Sequence, residues 1–206
     1  YSMLYQGNYN FNLDNSIVFG LEREDDRIGY NKDLSGRKNK HNYVTSKFFD
    51  LQSRITNNFY FTIGSRFDEH SIAGNEDSHR ATLAYLFDDK NLKIKSSYGT
   101  GFRYPSLYEM FFVYAANSKS LDYVKAENSK SFDIGFEKLF SNINLNLDAT
   151  YFNLKYNDVL EGWKIGESSG SAYTTQNMPG NVKSQGLELV SKWTPNNFLN
   201  LGINYT

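Results

Sequence analysis

Cysteine is absent from the 206 residues, which excludes a disulfide scaffold, cysteine-ligated zinc and thiol catalysis. An excess of one charge is also missing. Twenty-two Lys and Arg stand against 23 Asp and Glu, a net charge of −1, so the basic face that a nucleic-acid partner requires is not there. No apolar run approaches the roughly 18 residues of a membrane-spanning helix; the longest, 110–116, has seven. Proline is scarce, and Pro105, Pro179 and Pro195 are each read as lying in a connection, where they leave strand ladders uninterrupted. The first ten residues show no basic stretch followed by an apolar core and no initiator Met, so no signal peptide is expected within them. Both ends break off inside strand-like patterns, and the chain is expected to be a piece of a longer protein.

Aromatic residues are abundant. Sixteen Tyr, 16 Phe and 2 Trp make 17% of a chain that is only 39% hydrophobic, with a mean hydropathy of −0.60. They follow a period of two. Ile143, Leu145, Leu147, Ala149 and Tyr151 alternate with Asn144, Asn146, Asp148 and Thr150, and similar alternation recurs at 59–67, 81–87, 132–136 and 199–205. Alternation at 180° per residue is the mark of strands with unlike faces. Strands are predicted near 2–11, 16–26, 42–56, 59–70, 78–88, 91–101, 129–140, 143–157, 181–194 and 198–206.

Connection lengths carry the next step. Links at 12–15, 56–58, 88–90, 141–142 and 194–197 are short and rich in Asn, Asp and Ser, as tight turns require. Between them fall longer links at 26–41, 71–77, 102–128 and 158–180, so short and long are expected to alternate throughout. A transmembrane β-barrel has this pattern, with short turns on one side of the membrane and long loops on the other. Its apolar face meets lipid and its polar face a wet lumen, which reconciles low hydropathy with a membrane location. The fold expected is therefore all-β, an antiparallel transmembrane barrel wall. Alternation by itself also fits a soluble β-sandwich binding module with its apolar face inward. The strand number also fits a complete ten-stranded outer-membrane enzyme such as a surface protease.

Sites of chemistry are sparse. Gly99-Thr100-Gly101-Phe102 opens like a dinucleotide fingerprint, but Tyr104 replaces the third glycine and Pro105 forbids the helix that would hold the phosphates. Gly166-Glu167-Ser168-Ser169-Gly170 matches a nucleophile elbow in spelling only, since no strand-to-helix turn surrounds it. His41, His70 and His79 are too scattered for a helical zinc motif, though His70 and His79 could meet across one hairpin. Glu22, Glu24, Asp25 and Asp26 read as solvated charge at a strand end. No acid–base or nucleophilic set assembles, so neither enzymatic activity nor a cofactor is expected.

The most specific signal is Tyr98-Gly99-Thr100-Gly101-Phe102-Arg103-Tyr104-Pro105-Ser106-Leu107-Tyr108-Glu109-Met110-Phe111. It resembles the "YGTGFRxPSLYELF" segment of TonB-dependent outer-membrane receptors, in the branch holding the cobalamin and related siderophore receptors. Residues 125–137 resemble that family's "KPExSxSxEIGxE". Tyr151-Phe152-Asn153 with Asn157-Asp158-Val159-Leu160 resembles "YFxxxYxDLI", and Asn181 with Gly186-Leu187-Glu188 the "N…GxE" strand after it. Two departures stand out: Tyr104 where the family has a small residue, and Ala126 where it has Pro.

The resemblance implies a location in the bacterial outer membrane and a 22-stranded barrel around an N-terminal plug, of which this chain would supply about ten strands and no plug. It implies import of a large scarce nutrient, cobalamin or an iron–siderophore complex, energised by the TonB complex through the absent plug. Outer-membrane lipid and lipopolysaccharide would surround the wall. Gly99, Gly101, Phe102, Arg103, Pro105, Ser106 and Glu109 are expected in structural roles. The glycines would allow close backbone approach, Pro105 would stiffen the loop, and Arg103 would pair with an acidic group on the plug or a nearby loop. For ligand contact the candidates are Arg103, Tyr104, Tyr108, Phe112, Tyr114 and Trp163, because a large, nearly planar ligand is held by aromatic surface with a few polar anchors.

Overall fold

The computed structural model describes residues 1–29, 40–111, 124–165 and 172–206. Ten strands form one antiparallel sheet: β1 (Ser2–Asn10), β2 (Asn15–Ile28), β3 (Lys40–Thr56), β4 (Phe59–His70), β5 (Gly74–Phe87), β6 (Leu92–Arg103), β7 (Glu127–Phe140), β8 (Leu145–Asn157), β11 (Asn181–Asn196) and β12 (Leu199–Tyr205). Each pairs with its neighbour in chain order, except that β8 passes to β11. The connection between those two carries its own hairpin, β9 (Leu160–Ile165) with β10 (Ala172–Asn177), and a one-turn helix, α1 (Leu107–Phe111), follows β6. Neither the hairpin nor the helix is visible as a periodic pattern, because each is too short to show one.

Alternation of link lengths holds with one exception. The link expected at 71–77 is a tight turn at 71–73, because β5 already begins at Gly74. The polar run Asn75, Glu76, Asp77 reads as loop, but it pairs residue by residue with β4. Gly74 adopts φ 90°, open to glycine without strain, and this closes the turn. At other turns Asn91 and Asn144 take the left-handed conformation that Asn tolerates best after Gly. Pro195 is also misplaced by the sequence reading. It lies within β11, where the register slips between Trp193 and Asn196, a bulge that accommodates its missing N–H.

Residues opposed across a ladder share a face, so the register sorts every side chain. One face carries Phe19 and Leu21 on β2, Phe49 and Leu51 on β3, and Phe59, Phe61 and Ile63 on β4. It continues through Leu83 and Tyr85 on β5, Ile94 and Tyr98 on β6, Phe132, Ile134 and Phe136 on β7, Leu145, Leu147 and Tyr151 on β8, and Leu187 and Leu189 on β11. Among the described residues no second layer covers these side chains: Leu83 is 50% exposed and Ile134 46%. Among the described residues the buried apolar side chains are Pro105, Leu107, Met110 and Ala126, all at the long-loop end of the wall. A continuous apolar face across this many strands far exceeds the few hundred Å² that a water-soluble monomer leaves bare. A soluble sandwich would have covered it; a barrel wall turns it to lipid.

The opposite face is polar and ion-paired. Lys95 meets Glu137 at 3.0 Å and Asp148 at 2.6 Å, joining β6, β7 and β8, and Lys93 reaches Glu137 at 3.2 Å. Arg66 on β4 binds Glu22 of β2 at 2.9 Å, Asp68 at 2.8 Å and the Ser46 hydroxyl of β3 at 2.7 Å. Arg80 meets Asp50 at 2.8 Å. Aromatics on this side lie flat: a Cβ built on Gly20 would stand 2.4 Å from the Phe48 ring, and one on Gly186 3.0 Å from Phe152. Glycine opposite each ring lets it fold down onto the wall, so the polar side keeps open space in front of it.

Candidate functional site at the long-loop rim

Arg103 ends β6 and reaches two carboxylates. Its Nε donates to Glu127 Oε2 at 2.6 Å, while Nη1 and Nη2 approach both oxygens of Glu109 at 3.0–3.1 Å. A planar guanidinium suits this two-sided clamp in a way an ammonium cannot. The Glu127 interaction does most to raise the Arg103 pKa above its already high value, with Glu109 adding to it against the cost of burial. Reciprocally, Arg103 holds the Glu127 carboxyl below the usual range, and the Leu160 N–H donates to its other oxygen at 2.5 Å. One guanidinium thus ties together α1, the start of β7 and the start of β9. The expectation that Arg103 pairs with an acidic group on a nearby loop is realised on Glu109 and Glu127.

Glu109 has a second task. Ser106 Oγ accepts the Glu109 N–H at 3.2 Å, and Glu109 Oε2 accepts the Ser106 N–H at 2.8 Å. This is a reciprocal capping box, which explains why five residues hold a helical turn at all. Pro105, fully buried, precedes the cap, and Leu107 and Met110 bury the underside of α1. The helix packs against β2, β3 and β10. Behind the clamp, Gly101 faces Ser129: an added Cβ would come within 3.0 Å of Ser129 Oγ, so close strand approach is what that position needs. Gly99 is easier, with Ser131 Oγ at 3.3 Å.

Tyr104, the departure from the family pattern, finds a partner the sequence did not suggest. Its ring lies 4.6 Å from His70 and 5.1 Å from Phe102, and its hydroxyl donates toward the Asp68 and Gly74 carbonyls at 3.2 Å. Burial, with the charges of Asp68 and Glu76, pushes its pKa up to about 12. His70, only 6% exposed, accepts the Ile72 and Ala73 N–H groups on Nδ1 at 3.0 and 2.8 Å. With Nδ1 accepting, the ring's one proton sits on Nε2, and the Asn42 amide 2.9 Å away accepts it when turned to present its otherwise unpartnered Oδ1. Burial lowers the His70 pKa, opposed by Asp26. His70 and His79 do not meet; the register puts them on opposite faces, and His79 contacts Ser65 and Asp77 instead.

The remaining rim contact missed by sequence reading is Asn177. Its amide accepts the Lys125 N–H at 2.8 Å and donates to the Lys125 and Asp158 carbonyls at 2.9 and 2.7 Å. It pins the β9–β10 hairpin beside buried Ala126, and a lone Asn in a polar loop gives no pattern by which to find it. Of the aromatic candidates, Tyr108 is 53% exposed on α1. Trp163 lies in β9 opposite Thr174, and its side chain lies outside the described residues, as do Phe112, Tyr114 and the segment 166–170. Glu22, Glu24 and Asp26 project from the polar face and Asp25 from the apolar one, so the acidic run is split. Among the described residues no cluster of His, Asp and Glu could hold a metal ion.

Comparison with known proteins agrees with this architecture. The model of the TonB dependent receptor-like β-barrel matches residues 1–206. The vitamin B12 transporter BtuB of Vibrio cholerae serotype O1 is 27% identical over 128 residues, 58% of this chain and 20% of that protein. Solved structures that share the fold include two siderophore receptors. The siderophore receptor PirA of Pseudomonas aeruginosa has a TM-score of 0.82 at 17% identity, covering 98% of this chain and 41% of PirA. The ferric enterobactin receptor PfeA from the same organism has 0.80 at 19%, covering 98% and 34%. The chain therefore spans a fifth to two-fifths of the length of these proteins.

Proposed function

Because the chain belongs to the TonB-dependent receptor family, as part of its outer-membrane β-barrel and not as an enzyme, we propose that the full-length protein imports a large scarce nutrient, cobalamin or a ferric siderophore, with energy from the TonB complex. The observation that carries this reading is the pairing of two unlike faces: a bare apolar side for lipid, and an ion-paired polar side with flattened aromatics for a wet, occupied lumen. In this reading the rest of the protein supplies the other strands and the plug that fills the lumen and engages TonB. Arg103, Glu109 and Glu127 hold the rim in shape, the loop aromatics Tyr108, Phe112, Tyr114 and Trp163 meet the cargo, and Tyr104 braces the turn after β4. Aromatic surface suits a broad, nearly planar ligand, and extracellular loops are where variation between relatives changes cargo.

The test is uptake in a strain lacking its own receptors and carrying the full-length gene. Labelled cyanocobalamin and labelled ferric enterobactin are supplied in parallel, with TonB intact or deleted. Uptake of one of the two that disappears without TonB is the expected result. Uptake unaffected by TonB, or neither compound entering while the barrel is assembled, would refute the proposal.

A further inference from the structure

Tyr104 joins two strands that are not neighbours. It follows the last residue of β6, yet its side chain rests on the turn between β4 and β5. The ring lies 4.6 Å from His70, and the hydroxyl donates toward the Asp68 and Gly74 carbonyls at 3.2 Å. From Tyr104 the chain passes through buried Pro105 into α1, whose Leu107 and Met110 are buried and which packs against β2, β3 and β10. His70 shares the polar face with Ser46 and Asp68, so this link turns over the inner side of the wall, and Tyr104 fastens it there. Tyr104 is also where the chain departs from the receptor pattern, which has a small residue at that position.

The seat beneath Tyr104 depends on one proton. Neutral His70 accepts the Ile72 and Ala73 N–H groups on Nδ1, which holds the turn closed, while Nε2 faces buried Asn42. A second proton can go only to Nδ1. It would point at the two N–H groups bound there and deprive both of their acceptor, so the turn must open to bring them to water. Opening displaces Gly74, whose carbonyl holds the Tyr104 hydroxyl. Other charges face the ring's side of the wall: Glu24 and Asp26 from β2, Lys40 farther along β3, Arg66 and Asp68 from β4, and Glu76 from β5, with Asp158 near it. Arg66 is committed to Glu22 and Asp68, and Glu109 of α1 to Arg103; β10 brings no charge. Asp26 and the Tyr104 ring favour the imidazolium, but burial outweighs Asp26. Neither replaces the acceptor that the two N–H groups lose.

We propose that Tyr104, His70 and Asn42 form a latch that holds α1 against the inner wall, and that protonation of His70 opens it. Burial lowers the His70 pKa, so the latch is shut above the ordinary value near 6.5 and opens as pH falls through the lower folded value. Only the consequence for cargo rests on the import reading: Tyr108, exposed on α1, is presented to cargo while the latch is shut, so cargo is held more weakly in acid.

The experiment follows amide exchange at Glu109 and Met110, whose N–H groups bond to Ser106, in the full-length receptor in neutral detergent. Rates are corrected for intrinsic exchange and compared at pH 7.5 and pH 5. Wild type is expected to exchange roughly tenfold faster at pH 5, the equivalent of about one lost hydrogen bond. His70→Asn keeps an accepting oxygen and takes no proton, so its rates should not change with pH. His79→Asn, on the opposite face, should respond as wild type does. Tyr104→Ala should exchange fast at both pH values, and Tyr104→Phe, which keeps the ring alone, should fall between. Heat-modifiable migration shows that each variant retains the barrel. A pH response that survives His70→Asn, no response in wild type, or full protection of α1 in Tyr104→Ala would overturn the latch. Cargo is measured separately with cyanocobalamin and ferric enterobactin. The compound bound at pH 7.5 should bind less tightly at pH 5 to wild type than to His70→Asn, and equal pH dependence in the two would overturn control over cargo. If neither compound binds, the import reading fails while the exchange result still decides the latch.

Discussion

Arginine placed at Ile134 should be among the costliest single changes on the outer wall. Ile134 lies midway between Lys130 and Lys138 on the same face of β7. Those lysines are eight residues apart, about 27 Å along a strand and about 20 Å in height at a tilt near 40°, close to the roughly 25 Å of an apolar barrel belt. Ile134 thus sits near mid-depth, where arginine on the lipid face costs about 2–4 kcal/mol. That is a change of roughly 30- to 900-fold in the ratio of folded to unfolded receptor. Phe132→Arg, two residues nearer the rim, should cost less, and Asn146→Arg, which projects from the polar face opposite Leu139, should cost little. Guanidinium unfolding of the full-length receptor in lipid vesicles measures all three. Equal costs at Ile134 and Asn146, or a greater cost at Phe132 than at Ile134, would refute the assignment of faces.

Three further outcomes follow from the rim. A double-mutant cycle of Arg103→Ala with Glu127→Gln should give a coupling of about 1 kcal/mol, read as faster proteolysis between Tyr104 and Ala126 in either single variant; zero coupling would mean the clamp is incidental. Ser106→Ala removes the cap of α1 and should cost about 1 kcal/mol, visible as lost amide protection at Glu109 and Met110. His70 has a lowered pKa when folded, so the unfolded turn takes up a proton first. Its stabilising effect is complete above an ordinary value near 6.5 and is lost as pH falls through the lower folded value. Amide exchange at Ile72 and Ala73, corrected for intrinsic rates, should therefore accelerate between pH 7.5 and pH 5, and should cease to depend on His70 in a His70→Asn variant.

Much of the wall was legible because a strand between two unlike solvents has a strict period of two. The odd residues from Leu145 to Tyr151 share one face of β8, as their alternation predicts, while Ile143 lies in the turn before it. Errors arose where local polarity misled. Asn75 to Asp77 is hydrophilic because it pairs beyond the membrane, not because it is loop. Pro195 is tolerated because a bulge absorbs it. At the rim, the family-like motif named Arg103 and Glu109 and the following segment contained Glu127. The Ser106–Glu109 spacing was present to be read as a cap. Nothing in the chain announced that Tyr104 would cover His70, 34 residues earlier, or that Asn177 would bind the backbone at Lys125 and Asp158.

The sequence by itself determined the class of fold, the face each strand residue occupies and the family, since all three depend on alternation and on short contiguous motifs. Only the tertiary structure decided which residues meet. The Arg103–Glu127 pair and the Tyr104–His70 contact join positions separated by 24 and 34 residues. Their adjacency is fixed by ladder register, which depends on where each turn closes, and a shift of one residue would exchange the faces and separate every one of these contacts.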